Sequence, residues 1–155
     1  MCTPAEQDGR NDYVAILHLA RYAGLRIHEC FRIDTGTAAD AVRKQAITIK
    51  GKGGLIRTVP LSKDLCARLD AARTSVPHGR KLFVPKAQQT HEAIQALQEY
   101  IRQNQELVQD VGSDHPMTFH GLRHAYASQQ YRAMVEHGIT PEAAETAVFD
   151  LLGHH

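Results

Sequence analysis

Five basic residues of the sequence have side chains whose types and spacing could do chemistry together: Arg26, Lys52, His120, Arg123 and His154. Two guanidinium groups can hold bidentately the negative charge that builds up on the non-bridging oxygens during displacement at phosphorus. A histidine can move a proton near neutral pH, and a lysine can donate one to a leaving oxygen. These residues therefore predict a phosphodiester site that works by electrostatic stabilisation without a metal ion.

Each of these residues also has an ordinary structural explanation. An arginine that follows a helix, such as Arg26, is usually a surface charge, and a lysine in a hairpin turn, such as Lys52, is usually solvated. His120 and Arg123 are three residues apart, a spacing that often gives only a contact on the surface of a helix. Because short motifs carry a high risk of false positives, only the combination predicts a function.

The elements that must position these side chains follow from hydrophobic periodicity and from glycine and proline. Five segments are predicted to be helices: 12–24, 64–72, 91–108, 119–137 and 141–152. LRIHECF (25–31) adds a helical turn or two, and AITIK and LIRTVPL flank GKGG as a β-hairpin. Three segments are predicted to be loops: 35–45, 75–90 and 110–116. The sum predicts one α+β domain over 1–155, mainly helical with a small antiparallel sheet.

Composition narrows the class of protein. The chain has 155 residues, of which 43% are hydrophobic and 23% charged, as in ordinary globular domains. Without a run of about 18 apolar residues, no membrane span is predicted, and the polar N-terminus lacks the apolar core of a signal peptide. The three cysteines are widely spaced without a CxxC pair, which argues against a disulfide scaffold or zinc ribbon and favours a cytoplasmic protein.

The net charge of +1 hides an asymmetry along the chain. Residues 1–90 hold 15 basic and 8 acidic residues, whereas residues 91–155 hold 3 basic and 9 acidic ones. The stretch 43–63 has six basic residues and no acidic one, which suits a polyanion on one face, although a solvated basic hairpin explains it equally well. The residues of this stretch expected to contact a polyanion are Arg43, Lys44, Lys50 and Arg57.

Four motifs in order resemble the tyrosine recombinases, also called the phage integrase family. They are GLRIHE (24–29), GKGGLIRTVPL (51–61), HGLRH (120–124) followed by Ala-Tyr-Ala-Ser, and LGH (152–154). Any one of them is a weak signal, but their order, spacing and context agree over nearly the whole chain. The resemblance implies the tyrosine-recombinase catalytic-domain fold and a DNA-recombining enzyme of a mobile element.

The same resemblance implies roles for the basic residues. Three would contact the scissile phosphate: Arg26, Arg123 and His154. Lys52 would be the general acid toward the leaving 5′ oxygen, His120 would assist proton transfer at the nucleophile, and Glu29 resembles the acidic residue that supports the first arginine. The family's reaction forms a 3′-phosphotyrosyl intermediate and exchanges strands by the reverse attack, without a cofactor.

The sequence departs from the family pattern in three respects. The family's nucleophilic tyrosine follows LGH by about ten residues, whereas this sequence ends at His155 and its Tyr126 and Tyr131 lie upstream. The sequence before Asp12 is too short for the family's N-terminal core-binding domain. Leu55 and Ile56 stand where the family often has a further basic residue. We therefore expect a catalytic-domain fragment that has a phosphate pocket, lacks its nucleophile and is inactive by itself.

The resemblance also implies partners. Double-stranded DNA is expected as the partner, with DNA contacts at Arg43, Lys44, Lys50 and Arg57. A homotetramer on DNA is expected as the state of the parent protein, with the fragment itself monomeric. A non-catalytic DNA-binding module, or an inactive remnant of the same fold, is the main alternative. Type IB topoisomerases share the catalytic logic but have larger chains.

A zinc site is the weaker hypothesis. His120 and His124 are four residues apart, a spacing that can chelate zinc on a helix, and His154 and His155 could add ligands. The sequence gives no firm third and fourth ligand and no HExxH motif. No metal is therefore expected.

Overall fold

The computed structural model describes residues 10–104 and 118–153. Within them lie seven α-helices: α1 (Asn11–Ala23), α2 (Ile27–Phe31), α3 (Thr35–Lys44), α4 (Lys63–Thr74), α5 (Thr90–Gln103), α6 (Phe119–Glu136) and α7 (Pro141–Leu151). Two antiparallel strands, β1 (Ala46–Lys50) and β2 (Ile56–Pro60), connect α3 to α4. The predicted α+β class, mainly helical with one small sheet, is confirmed.

The hairpin forms because its strands alternate between buried and exposed residues. Ile47 pairs with Val59, and both are buried, whereas the next pair, Thr48 and Thr58, is exposed and joined by a 3.1 Å hydrogen bond between hydroxyls. A short 3₁₀ turn at Lys52–Gly54 connects the strands. The apolar face of the hairpin thus packs on the core, and its turn projects from one end.

Helix α1 is the centre of the core. Most of its residues are buried, and it packs against α4 and α6. Gly24 ends the helix in the left-handed conformation, with φ of 70°. A Cβ atom at this position would lie 2.4 Å from the ring of Tyr126 on α6. Glycine at position 24 therefore lets α6 approach the end of α1 closely.

The prediction of a loop over 35–45 is wrong, because α3 occupies most of this segment. The side chain of Asp34 caps the helix by accepting a 2.8 Å hydrogen bond from the Thr37 N–H. Ala38 and Ala41 are buried, and α3 packs against α4 and β1. Small residues suggested a loop, but alanine is the best helix former and allows close packing. The helix supports the base of the hairpin.

The other helices agree with the predicted pattern. Thr118 and Thr140 cap α6 and α7 by accepting hydrogen bonds from the N–H groups of Gly121 and Ala143. Helix α5 ends at Gln103, and the rest of the predicted 91–108 helix and the predicted 110–116 loop lie outside the described residues. Helix α7 packs between α6 and β2, so three elements meet at its end. None of the helices described here is long and apolar enough to cross a membrane.

Replacement of Gly24 by alanine tests the close approach of α6. We expect Gly24→Ala to lower the free energy of unfolding by roughly 3 kcal/mol, because it adds overpacking to the cost of a left-handed alanine. Gly138→Ala is the matched control, since Gly138 follows α6 with φ of 92° but has open space around it. We expect that variant to lose about 1–2 kcal/mol. Urea denaturation measures both, and equal losses would contradict the packing explanation.

Candidate active site

Arg123 is the most deeply buried arginine among the expected site residues. It lies on α6 and is only 7% exposed. Its Nε donates to the carbonyl oxygen of Gly24 (2.8 Å), and its Nη2 donates to that of Leu152 (2.9 Å). Burial, with the nearby charges of Arg26 and Arg57, lowers the pKa of Arg123 to about 10, so it stays protonated at neutral pH. One guanidinium thus ties the ends of α1 and α7 together.

Arg26 lies at the N-terminus of α2, with its side chain 30% exposed. Its backbone N–H donates to Oε1 of Glu29 (2.7 Å), and its Nη1 lies 3.6 Å from Oε2 of the same carboxylate. Nη1 is buried and makes no hydrogen bond to any of the described residues. One donor of the Arg26 guanidinium therefore has no hydrogen bond to the described residues and lies near the Glu29 carboxylate.

Glu29 is the buried carboxylate of the site, and its main partner is Arg57. The two Nη atoms of Arg57 donate to the two carboxylate oxygens at 2.7 and 2.8 Å, a bidentate ion pair. Burial alone would raise the pKa of Glu29, but hydrogen bonds from Arg57 and from the Arg26 N–H outweigh it, so the pKa is lowered. Glu29 was expected to support Arg26; it does contact Arg26, but it gives both oxygens to Arg57.

Arg57 was expected to contact DNA, and its placement does not support that expectation. Its side chain is 10% exposed, and its Nε donates to the carbonyl oxygen of Leu151 at 2.9 Å. The sequence contained a signal for this burial: Arg57 lies two residues before the buried Val59 and pairs with the buried Ile49. Alternation along β2 thus puts Arg57 on the core face of the hairpin.

Gly51 and Gly153, the residues before Lys52 and His154, lie close to the guanidinium of Arg57. A Cβ atom on Gly51 would lie 3.4 Å from Nη1 of Arg57 and 3.4 Å from Oε2 of Glu29. A Cβ atom on Gly153 would lie 2.8 Å from Nη1 of Arg57. Lys52 begins the hairpin turn directly after Gly51. The side chain of Lys52 and the whole of His154 lie outside the described residues.

His120 is the most exposed of the expected catalytic residues whose side chains the structure describes. It is exposed in the first turn of α6, three residues before Arg123. This spacing puts the two residues on neighbouring positions of one helix face. The structure thus brings together Arg26, Glu29 and Arg123, adds Arg57 to them, and leaves His120 at the solvent-facing start of α6.

The charges of this cluster are unbalanced. Three guanidinium groups, those of Arg26, Arg57 and Arg123, act on one another or on the single carboxylate of Glu29. Their sum is a net charge of +2 within a partly buried site. A surplus of this size is suited to bind an anion with two negative charges, or to stabilise the negative charge that develops on a phosphodiester in the transition state of displacement at phosphorus.

The expected DNA contacts other than Arg57 lie on the surface. Arg43, Lys44 and Lys50 are all exposed, and they lie at the end of α3 and on β1. Arg43 forms a 3.0 Å ion pair with Asp40, one turn earlier on α3. Within 10–104 and 118–153, no group of three or more His, Cys, Asp and Glu side chains is arranged to hold a metal ion.

Removal of the Glu29 charge should destabilise the protein in a pH-dependent way. We expect Glu29→Gln to lower the free energy of unfolding at pH 7 by about 3 kcal/mol, because it leaves buried guanidinium charge uncompensated. A lowered carboxylate pKa stabilises the fold above the ordinary glutamate pKa of about 4.3, and this stabilisation is lost as the pH falls through the lower folded-state value. The difference between wild type and variant should therefore shrink in acid.

Glu99→Gln is the control for this variant. Glu99 forms an exposed ion pair with Arg102 on α5 and makes no contact with the cluster. Its replacement should leave stability at pH 7 nearly unchanged, because exposed pairs contribute little. Urea unfolding measured from pH 7 down to pH 3 would refute the assignment if both variants behaved alike.

Known proteins are similar to this chain over nearly its whole length. The sequence profile of the phage integrase family matches residues 3–155. No curated protein matches the chain at a significant level.

Three solved structures share the fold at low sequence identity. The integrase from mycobacterium phage Brujita is 21% identical with a TM-score of 0.55, over 93% of this chain and 50% of that one. XerA recombinase is 20% identical with a TM-score of 0.62, over 97% and 51%. The Tn1549 transposon integrase, solved in complex with circular intermediate DNA, is 13% identical with a TM-score of 0.64, over 99% and 58%.

The chain spans about half the length of these three structures. At such identities the likeness shows the fold alone, while the family profile covers nearly every residue of the chain. The sequence motifs, the fold and the profile agree, and this chain belongs to the phage integrase family of tyrosine recombinases.

Proposed function

We propose that this chain is the catalytic domain, without its nucleophile, of a site-specific DNA recombinase that cleaves and rejoins DNA through a 3′-phosphotyrosyl intermediate. One observation carries the proposal: Arg26 and Arg123 belong to one partly buried cluster of net charge +2, in which the charge of Arg26 helps to lower the pKa of Arg123. Such a cluster stabilises negative charge that develops at phosphorus. Family membership supports the recombinase class of enzyme.

The proposed roles divide the reaction among the expected residues. Arg26, Arg123 and His154 bind the non-bridging oxygens of the scissile phosphate. Lys52 protonates the leaving 5′ oxygen, and His120 assists proton transfer at the attacking tyrosine. The nucleophile is proposed to lie beyond His155, so the chain as given binds phosphate but does not cut. Because the bond energy is stored in the protein–DNA link, no cofactor is needed.

The proposal extends to partners and source. Double-stranded DNA is the proposed partner, in line with the transposon integrase that was solved in complex with DNA. A phage integrase and a transposon integrase among the similar structures support a mobile element as the source. We further propose a homotetramer on DNA for the parent protein, a monomer for this chain, and a cytoplasmic location.

Trapping of a covalent adduct tests the enzyme proposal. A chain extended past His155 to include the expected tyrosine should form a protein–DNA adduct on a nicked duplex that carries the junctions of its source element. Arg26→Ala and Arg123→Ala should each lower the rate of adduct formation at least about a hundredfold, because they remove charge stabilisation from the transition state. Denaturing gel electrophoresis measures the adduct.

The matched control is Arg68→Ala, which removes an arginine that pairs with Asp64 on the surface of α4. It should form the adduct at the wild-type rate. Adduct formation at the wild-type rate by Arg26→Ala or Arg123→Ala would refute the role assigned to that residue. A folded, extended wild-type protein that forms no adduct would instead favour the alternative of a non-catalytic DNA-binding module.

The proposed surface contacts can be tested on the chain as given. Binding to a short duplex should be weak and should fall with salt, because few phosphates are neutralised. Lys44→Gln and Lys50→Gln should each reduce the slope of log K against log salt by about 0.9, the value for one phosphate contact. Fluorescence anisotropy titrations at several salt concentrations measure the slope. The control is Lys86→Gln, which replaces an exposed lysine in the loop before α5. An equal effect of this variant on the slope would refute the proposed contacts at Lys44 and Lys50.

A further inference from the structure

The side chain of Arg57 connects three parts of the site. Its two Nη atoms bond to Glu29 at the start of α2, and its Nε bonds to the carbonyl oxygen of Leu151 at the end of α7. Its Nη1 also lies against Gly51, at the start of the hairpin turn, and against Gly153, just past α7. Arg57 itself belongs to β2, so one side chain joins the hairpin to both α2 and α7.

We propose that Arg57 is a positioning residue, which sets the hairpin turn and the end of α7 relative to Arg26 and Arg123. The inference rests on the proposed function, because it concerns the roles proposed there for two neighbouring residues. Gly51 precedes Lys52, the proposed general acid, and Gly153 precedes His154, a proposed phosphate ligand. Both residues continue from backbone that is packed against the Arg57 guanidinium.

The contacts require an arginine. A guanidinium presents its donors in a fixed plane, so Arg57 can pair with both oxygens of Glu29 and still direct Nε to a third acceptor. A lysine has a single ammonium group and cannot span the Glu29 carboxylate and the Leu151 carbonyl in this geometry. Arg57→Lys therefore preserves the charge and removes the connection.

The space around the guanidinium is equally restricted. Gly153 has φ of 74°, and any side chain there would press on Nη1 and the neighbouring carbon of Arg57. A methyl group at position 153 would thus displace Arg57, or the end of α7, without changing any charge in the site.

The placement also separates this role from DNA binding. The charge of Arg57 is neutralised by Glu29, and its side chain is almost covered. A buried and paired guanidinium does not release a counterion from DNA when the protein binds. Arg57 should therefore affect the rate of cleavage without affecting the number of phosphates contacted.

Single-turnover cleavage at saturating DNA tests the positioning role. In the extended chain we expect Arg57→Lys to lower the cleavage rate about a hundredfold, the cost of displacing catalytic groups by about 1 Å. Its DNA dissociation constant should stay within about twofold of wild type, since the positive charge at position 57 and the exposed residues Arg43, Lys44 and Lys50 are retained. A folded Arg57→Lys protein that cleaves at the wild-type rate would overturn the proposal.

Gly153→Ala gives a second and independent test. It should lower the cleavage rate at least about tenfold, because small displacements of reacting groups are costly, and leave the DNA dissociation constant unchanged. Gly79→Ala is the control, because Gly79 has φ of 87° with open space around it. If Arg57→Lys fails to fold, this pair of variants decides, and equal rates in the two would overturn the proposal.

The salt dependence of duplex binding by the chain as given completes the test. Arg57→Gln should leave the slope of log K against log salt unchanged, whereas Lys50→Gln lowers it. A drop of about 0.9 in Arg57→Gln would show a direct phosphate contact and overturn the positioning role. This measurement needs no cleavage. Failure of the wild-type extended chain to form an adduct therefore counts against the proposed function. The salt slope still tests whether Arg57 contacts a phosphate directly.

Discussion

The rest of the site depends on the ionic interactions of the buried Glu29 carboxylate. Arg26, Arg57 and Arg123 would repel one another in a partly dry environment, and Glu29 offsets part of that repulsion. It does so from the first turn of α2, which its hydrogen bond to the Arg26 N–H also helps to start. One carboxylate thus offsets one of the three positive charges, and the cluster keeps a net charge of +2.

Backbone carbonyls complete the arrangement. Arg123 and Arg57 bond to three of them, at Gly24, Leu151 and Leu152, which are the ends of α1 and α7. Carbonyls at a helix C-terminus carry partial negative charge, so they suit cationic side chains. The positions of the guanidinium groups are therefore set mainly by where two helices end. Solved structures with identities of only 13–21% to this chain can share its fold while most side chains differ.

The sequence predicts most of the elements and much of the site because both depend on local patterns. Periodicity, caps such as Thr118 and the GKGG turn indicate where helices and strands begin and end. Helix α3 was not predicted, because its small residues form a helix through packing and a local sequence pattern does not display that packing. The grouping of Arg26, Glu29 and Arg123 came from a family resemblance. The contacts of Arg57 were not predicted, because its partners, Glu29 and Leu151, are 28 and 94 residues away in sequence.

The hydrogen bond from Arg123 to the Gly24 carbonyl joins residues 99 positions apart. Synthesis on the ribosome produces α1 before α7, so Arg123 cannot meet both of its acceptors until residue 152 has emerged. Contacts so distant in sequence form late, because a large loop must be closed before they can be made. A chain synthesised only through β2 already holds Glu29 together with Arg26 and Arg57, because these partners are at most 28 residues apart. Arg123 completes the cluster, and its bonds join the end of α1 to the end of α7 only after residue 152 has been made.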